Sequence, residues 1–163
     1  MKQQNLNADK KTFNISETIK QGKPFRNNYH KTAINLIFTG RWIFNLHNEL
    51  FKSYGLTAQQ FNILRILNGQ YPKSATVKLI RERMLDKMSD ASRIVENLRK
   101  KELVTREINS GNRREVQVFI SKEGIDILNS IEKNESETMD RFLSNLNSSE
   151  TEQLNFLLDK LRC

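Results

Sequence analysis

The fold of this chain is decided by the stretch from residue 74 to residue 121. Its first half reads Thr76-Val-Lys-Leu-Ile-Arg-Glu-Arg-Met84 and, after a short break, Ser89-Asp-Ala-Ser-Arg-Ile-Val-Glu-Asn-Leu-Arg-Lys-Lys101. Apolar residues recur there at spacings of three and four, which predicts two short amphipathic helices. The second half reads Leu103-Val-Thr-Arg-Glu-Ile108, a glycine-containing turn over residues 109–114, and Val116-Gln-Val-Phe-Ile120. Two short apolar runs around such a turn predict a β-hairpin.

The order helix, turn, helix, hairpin is that of a winged helix-turn-helix. In this arrangement the second helix enters the major groove of DNA and the tip of the hairpin lies beside it. We therefore predict a mainly α-helical fold with a small β-wing, and we take DNA binding as the function to be tested.

Longer helices are predicted on both sides of this head. From residue 28 to residue 54 apolar residues recur with helical spacing around more than one face, as in a helix that packs on its own domain and on a partner. Gly55 is predicted to end that helix. Thr57 and Gln60 form the capping-box pattern that begins the next one.

Further helix starts are predicted from residues that favour the N-cap position. Ser89 is the predicted N-cap of the second helix of the head, with Asp90 in its first turn. A long helix is predicted from Lys122 to about residue 145, and Ser148 or Ser149 is the predicted N-cap of a last helix.

The charge of the chain is unevenly distributed. The formal net charge is +8, and residues 73–114 carry 12 positive and 6 negative side chains, whereas residues 122–163 carry 5 and 9. A basic middle with an acidic end favours a polyanionic partner for one part of the protein only. No stretch reaches the roughly 18 to 20 apolar residues of a membrane span. The single cysteine, Cys163, cannot form an internal disulfide, which fits a cytoplasmic protein without membrane contact.

Over residues 32–160 the order of elements resembles the MarR family of bacterial winged helix-turn-helix transcriptional regulators. The resemblance depends on Gly55-Leu-Thr, on Leu98-Arg-Lys-Lys-Glu-Leu-Val-Thr-Arg106 leading into the wing, on Asn112-Arg-Arg114 at its tip, and on Ser121-Lys-Glu-Gly124. It implies a DNA-binding head flanked by long N- and C-terminal dimerisation helices, and a homodimer that binds a pseudo-palindromic operator.

Four segments follow from this interpretation. Residues 1–27 form a polar N-terminal arm, which is either a short helix or partly disordered. Residues 28–54 form a dimerisation helix, residues 55–121 the winged helix-turn-helix DNA-binding domain, and residues 122–163 the C-terminal dimerisation helices.

Two positions depart from the family pattern. Glu102 stands where the family commonly has glycine before the first wing strand, so the backbone is expected to leave the preceding helix differently. Asn112 stands where the family commonly has an acid that holds the second arginine of the wing. An amide still accepts a hydrogen bond from Arg114, but without the additional strength of a charged pair.

The candidate DNA contacts lie on the second helix of the head and around it. Residues near the N-terminus of a helix reach base edges, and there Arg93 suits guanine and Asn97 suits adenine. The other candidates on this helix are Ser89, Asp90, Ser92 and, towards phosphate, Lys100. Outside it they are Lys73, Lys78 and, at the wing tip, Arg113 and Arg114. The alternative is an ordinary solvated helix face and a charged turn. Arg81, Arg99 and Lys101 are further phosphate candidates.

The resemblance also implies release from DNA by a small, often aromatic or phenolic effector. Trp42, Phe44, Asn45 and His47 could line the pocket for such a molecule, although a role in the core or the dimer is the stronger alternative for Trp42 and Phe44. Whether the protein represses or activates is open, and we favour a repressor.

The sequence offers no set of residues for catalysis. His30 and His47 are the only histidines, neither has a metal-ligand partner at helical spacing, and no glycine-rich phosphate loop is present. We therefore expect no enzyme, metal or cofactor. The remaining alternatives are a winged-helix module for protein assembly or for RNA, and a basic protein that binds nucleic acid without sequence preference.

Overall fold

The computed structural model describes residues 14–108 and 116–163, except for the side chains of residues 134–139 and of residue 141. The elements are α1 Ile15–Thr18, α2 Asn28–Lys52, α3 Ala58–Asn68, β1 Ala75–Thr76, α4 Val77–Arg83, α5 Ala91–Lys100, β2 Val104–Ile108, β3 Val116–Ile120, α6 Lys122–Leu143 and α7 Ser148–Leu161. The chain divides into two compact units, Met1–Leu46 and His47–Cys163. Among the described residues no helix has the length and apolar character of a membrane span. The predicted mainly α-helical fold with a small β-wing is confirmed.

The wing belongs to a three-stranded antiparallel sheet with the strand order β1-β3-β2. Strands β2 and β3 form the predicted hairpin pair, with Val104 opposite Ile120 and Ile108 opposite Val116. Strand β1 pairs with the other side of β3, where Ala75 lies opposite Val118. Strand β1 was not predicted, because two residues are too few to show alternation. The turn between β2 and β3 lies outside the described residues.

The core of the second unit fills the space between α3, α4, α5, the sheet and the first half of α6. Phe51, at the end of α2, stacks on Phe61 of α3 with ring centroids 4.3 Å apart. The largest fully buried side chains are Phe51, Ile63, Leu64, Leu67, Ile80, Met84, Leu98, Leu128, Ile131, Val95, Val104 and Val118. Helix α5 is thus fixed on its apolar side by close packing, which leaves its other side to present polar groups.

The turn between α2 and α3 confirms two predicted caps. Gly55 has φ +66°. Beside it, the Leu56 N–H donates to the Phe51 carbonyl (3.0 Å) and the Gly55 N–H donates to the Lys52 carbonyl (2.9 Å), the hydrogen bonds of a Schellman motif. Helix α3 then begins with the predicted capping box. The Gln60 N–H donates to Thr57 Oγ1 (3.2 Å), and the Thr57 N–H donates to Gln60 Oε1 (3.1 Å).

Two predicted N-caps were wrong by one residue. Helix α5 is capped by Asp90, whose Oδ1 accepts from the Arg93 N–H (3.1 Å), and not by Ser89. The Ser89 hydroxyl instead donates to Asp86 Oδ2 (2.6 Å). A carboxylate is the stronger acceptor for helix N–H groups, and Asp86, three residues before Ser89, gives the Ser89 hydroxyl another acceptor. Helix α7 is likewise capped by Asn147, which forms a capping box with Glu150.

The exit from α5 contradicts the expectation raised by Glu102. Glu102 has φ +62°, the left-handed conformation that glycine favours. The Leu103 N–H donates to the Leu98 carbonyl (3.1 Å) and the Glu102 N–H to the Arg99 carbonyl (2.9 Å), so α5 ends in the same motif as α2. The backbone therefore keeps a glycine-type exit, and the glutamate bears the strain.

Glu102→Gly is expected to stabilise the protein by about 0.5–1 kcal/mol. It removes a left-handed strain of about 1–2 kcal/mol, part of which is offset because glycine gains freedom in the unfolded chain. Urea unfolding followed by circular dichroism measures the change. Gly55→Ala is the matched opposite: its φ is +66° and a Cβ there meets nothing within 4 Å. It should therefore destabilise by about 1 kcal/mol for conformational reasons alone. A destabilised Glu102→Gly protein would contradict the strain argument.

The start of α6 is packed directly on this exit. The Ser121 N–H donates to the Leu103 carbonyl (3.1 Å), and the Ser121 hydroxyl donates to the Glu102 carbonyl (2.8 Å). Ser121 Oγ also caps α6 by accepting from the Gly124 N–H (3.0 Å). Gly124 is buried at this contact, and the absence of a side chain there lets α6 approach the backbone between α5 and β2.

Candidate nucleic-acid interface

Helix α5 is divided into a buried side and an exposed side. Ala91, Val95 and Leu98 are buried at spacings of four and three, so they anchor the helix to the core. The exposed residues of the helix are Ser92, Arg93, Asn97, Arg99 and Lys100. The structure thus places four of the predicted contacts, Ser92, Arg93, Asn97 and Lys100, on the accessible side of one rigid helix.

Two of the predicted contacts, Ser89 and Asp90, already form hydrogen bonds within the protein at the start of α5. Asp86 accepts from the Met88 N–H (3.0 Å) and from the Ser89 hydroxyl (2.6 Å), and these bonds, that of Ser89 first, lower the pKa of its carboxyl group. Asp90 is occupied by its cap bond to the Arg93 N–H. Ser89 and Asp90 therefore shape the entrance of α5. Ser92, Arg93 and Asn97 remain as the side chains that extend from it.

A groove of about 300 Å³ lies between the start of α3 and α5. It is lined by Thr57, Gln59, Gln60, Ser89, Asp90, Arg93, Ile94 and Asn97. Gln59 was not among the predicted site residues. Its position follows from the capping box, which sets where α3 begins beside α5, and no local sequence pattern reveals that proximity.

Glu96 connects α5 to the wing. Its carboxylate accepts from Arg99 Nε (3.0 and 3.2 Å) and Nη2 (2.8 Å), and from Arg106 Nη1 of β2 (3.0 Å). The hydrogen bond from Arg99 is the largest cause that lowers the pKa of Glu96 from 4.5 to about 2, with Arg106 adding to it. The pairs are therefore fully formed above pH 4.5 and are lost only as the pH falls towards 2.

The predicted phosphate contacts fall into three groups. Lys73, Lys78, Arg81 and Lys100 are exposed, as the prediction requires. Arg99 is held by Glu96, and Lys101 Nζ donates to the Gly55 carbonyl and to Gln60 Oε1, which ties the end of α5 to the α2–α3 turn. Both side chains therefore already have partners within the protein, and their role as phosphate contacts stays a prediction. Asn112, Arg113 and Arg114 lie outside the described residues.

The residues predicted for an effector pocket lie on α2. Trp42 is 40% exposed and Asn45 is exposed. His47 is half-buried, with its ring centroid 5.4 Å from that of Phe51. Phe44 is half-buried as well. The pocket itself stays a prediction.

Residues 54–115 match the model of the MarR family. The similarity to the MarR family therefore covers most of the winged helix of this chain. The matched segment begins just after α2 and contains α3, β1, α4, α5 and β2, and so it includes every described residue of α5 and its groove. No curated protein sequence matches the chain.

Solved structures share the fold beyond the matched segment. The MarR transcription factor from Planctomyces limnophilus is 26% identical with a TM-score of 0.65, over 83% of this chain and 98% of its own. The organohalide-sensing regulator RdhR-CbdbA1625 with 2,4-dichlorophenol bound is 19% identical with a TM-score of 0.77, over 87% and 86%. MepR of S. aureus in complex with DNA is 18% identical with a TM-score of 0.70, over 79% and 94%.

Proposed function

We propose that this protein is a transcriptional regulator that binds double-stranded DNA in a sequence-specific manner, and that it acts in the cytoplasm as a homodimeric repressor. The observation that carries the proposal is the exposed polar and cationic side of α5, held by the buried Ala91, Val95 and Leu98 in a winged helix that is similar to the MarR family. A rigid helix with such a side fits the major groove.

Arg93 and Asn97 are the proposed base-reading residues. They are four residues apart and therefore project from the same side of α5, with about 6 Å of helix rise between them. Along DNA this distance corresponds to about two base pairs. Arg93 is assigned to guanine and Asn97 to adenine in each half-site. Ser92, Lys100, Lys73 and Lys78 are assigned to the backbone.

The exposed apolar residues of α7 and α2 support a homodimer. None of the 14 residues of α7 is buried. Its large apolar side chains are therefore open to solvent: Phe156, Leu157 and Leu161 are 63%, 51% and 61% exposed. On α2, Ile37, Phe38 and Trp42 are also exposed. An isolated helix of this length is only marginally stable in water. A second copy of the chain that buries these side chains would remove their apolar surface from water, with the same surface used on both subunits.

Leu157→Glu is expected to convert the dimer into a monomer, because it places a carboxylate in the apolar contact. Sedimentation equilibrium measures the mass of the assembly. Gln153→Glu adds the same charge to an exposed polar position of α7 and should leave the dimer intact. A wild-type protein that sediments as a monomer at micromolar concentration would contradict the homodimer.

A small aromatic effector is proposed to release the protein from DNA. The support is the similarity to RdhR-CbdbA1625, which was crystallised with 2,4-dichlorophenol. Trp42, Asn45 and His47 are proposed to line the site. Addition of 2,4-dichlorophenol to the DNA complex, followed by fluorescence anisotropy, tests whether a chlorophenol lowers the affinity of the wild-type protein and not that of Trp42→Ala.

Selection of duplexes from a random library tests the DNA-binding proposal and identifies the preferred sequence at the same time. A two-fold dimer should enrich a pseudo-palindrome whose half-site centres are about 10 base pairs apart. Enrichment of no sequence would favour binding by charge alone. Failure to retain any duplex would favour a winged-helix module for protein assembly.

A further inference from the structure

An acid lies in the middle of the side of α5 that is proposed to face DNA. Glu96 comes three residues after Arg93 and four before Lys100, so all three project from the same side of the helix. Asp90, the other acid on this side, caps the helix and therefore has a local role. Glu96 does not cap α5, and a carboxylate at its position is repelled by phosphate.

The structure pairs this carboxylate with two guanidinium groups. Arg99 approaches it with both Nε and Nη2, the fork geometry that gives the strongest hydrogen bonds to a carboxylate. Arg106 reaches it from β2 at 3.0 Å. Arg99 and Arg106 keep 49% and 35% of their side-chain surface exposed, so both lie at the surface and not in the core.

These pairs can act on folding stability or on DNA binding, and the two effects differ in size. Ion pairs on an exposed surface contribute little to folding, because water and salt screen them. Their effect on DNA binding is larger. Each arginine that reaches a phosphate adds a sequence-independent contact and releases a counterion, and such contacts supply nearly all of non-specific affinity. An arginine bound to Glu96 is not available for that contact.

We propose that Glu96 determines the specificity of the interface by withholding Arg99 and Arg106 from DNA phosphates, so that binding to DNA of the wrong sequence stays weak. The inference rests on the proposed DNA-binding function. It adds Glu96 as a residue that does not contact DNA and acts by holding two arginines. It leaves Arg93 and Asn97 to read the bases, while Arg99 on the same helix and Arg106 on β2 do not strengthen binding to every sequence alike.

Glu96→Gln tests the inference, because glutamine keeps the shape of the side chain and loses its charge. Binding to the selected duplex and to a random duplex is measured by anisotropy between 50 and 200 mM salt. The released arginines should steepen the slope of log affinity against log salt on random duplex by about 1 to 2 per bound subunit, and raise that affinity on the order of tenfold at 100 mM salt. The preference for the selected duplex should fall accordingly.

The same substitution in a protein without the two arginines distinguishes release of the arginines from simple loss of a negative charge. In a protein that carries Arg99→Gln and Arg106→Gln, the additional change Glu96→Gln should leave the salt slope unaltered. Glu107→Gln, which removes an exposed acid of β2 outside the Glu96 pairs, should change the slope in the wild-type background by less than about 0.3. Circular dichroism confirms that each variant is folded.

Three results would overturn the inference. They are an unchanged slope in Glu96→Gln, the same steepening without the two arginines, and an equal steepening in Glu107→Gln. Failure of the proposed function is recognised separately, since it appears as a wild-type protein with equal affinity for selected and random duplex. The slope on random duplex still reports the effect of Glu96 in that case.

Discussion

Gly124→Ala is expected to lower the free energy of unfolding by about 3 kcal/mol, at the upper end of what overpacking costs. A Cβ at this position would lie 2.3 Å from the Leu103 carbonyl oxygen and 2.8 Å from Ile120 Cγ1. The first of these neighbours is backbone and cannot rotate away. Helix α6 would have to move outward, which would break the bonds of Ser121 to the carbonyl groups of Leu103 and Glu102.

Urea unfolding of Gly124→Ala beside Gly69→Ala measures this effect against a matched substitution. A Cβ at Gly69 would meet only the carbonyl oxygens of Arg65 and Ile66, at 3.5 and 3.6 Å, which is ordinary contact. Gly69→Ala should therefore stay within about 1 kcal/mol of the wild type. A Gly124→Ala protein as stable as Gly69→Ala would show that α6 does not approach the α5–β2 exit as described. The free energy of unfolding of a domain is typically about 5–15 kcal/mol, so the predicted loss is a large share of the total stability.

Arg93→Ala is expected to weaken binding to the selected duplex by about 1–3 kcal/mol, roughly 5- to 150-fold. The reason is the loss of a bidentate contact with guanine, so discrimination should relax at one position of each half-site. Anisotropy on the selected duplex and on duplexes changed at single positions measures both effects.

Lys100→Ala provides the contrast on the same side of the same helix. As a phosphate contact it should weaken binding to all duplexes about equally and reduce the salt slope by about 1 per subunit of the bound dimer. If Arg93→Ala behaved in this way, with equal losses on selected and random duplex, Arg93 would not be a base-reading residue.

Features that depend on a few consecutive residues could be predicted from the sequence. The capping box of Thr57 and Gln60 and the left-handed glycine at position 55 depend on hydrogen bonds that close within six residues. The alternation of Val116, Val118 and Ile120 likewise predicted β3. The buried positions of α5 followed from helical periodicity, which also indicated the side that carries Arg93 and Asn97.

Features that depend on competition or on distant residues could not be predicted. Ser89 and Asp90 are both good N-cap residues, and the choice was decided by Asp86, which accepts a hydrogen bond from Ser89. The pairing of Glu96 with Arg106 joins residues ten apart on two different elements. Gly124 gives no local signal of its importance, because the backbone that excludes a Cβ there lies about twenty residues earlier in the chain.

Glu102 illustrates a further limit of sequence reasoning. A residue with a Cβ at a position that favours glycine can either change the backbone or accept strain. The sequence does not reveal which, because the answer depends on how firmly the surrounding structure holds the turn. Here the bonds from Ser121 to the carbonyl groups on either side of the exit hold it, and Glu102 remains left-handed.

The most direct test of the central claim is the affinity ratio of the wild-type protein for the selected duplex and for a scrambled duplex, measured by anisotropy at 200 mM salt. A sequence-specific regulator should bind its selected duplex at least about 10³-fold more tightly, with one dimer per site. Equal affinity for both duplexes, falling away together as salt rises, would contradict base reading by α5. It would leave only the attraction of a basic protein for a polyanion.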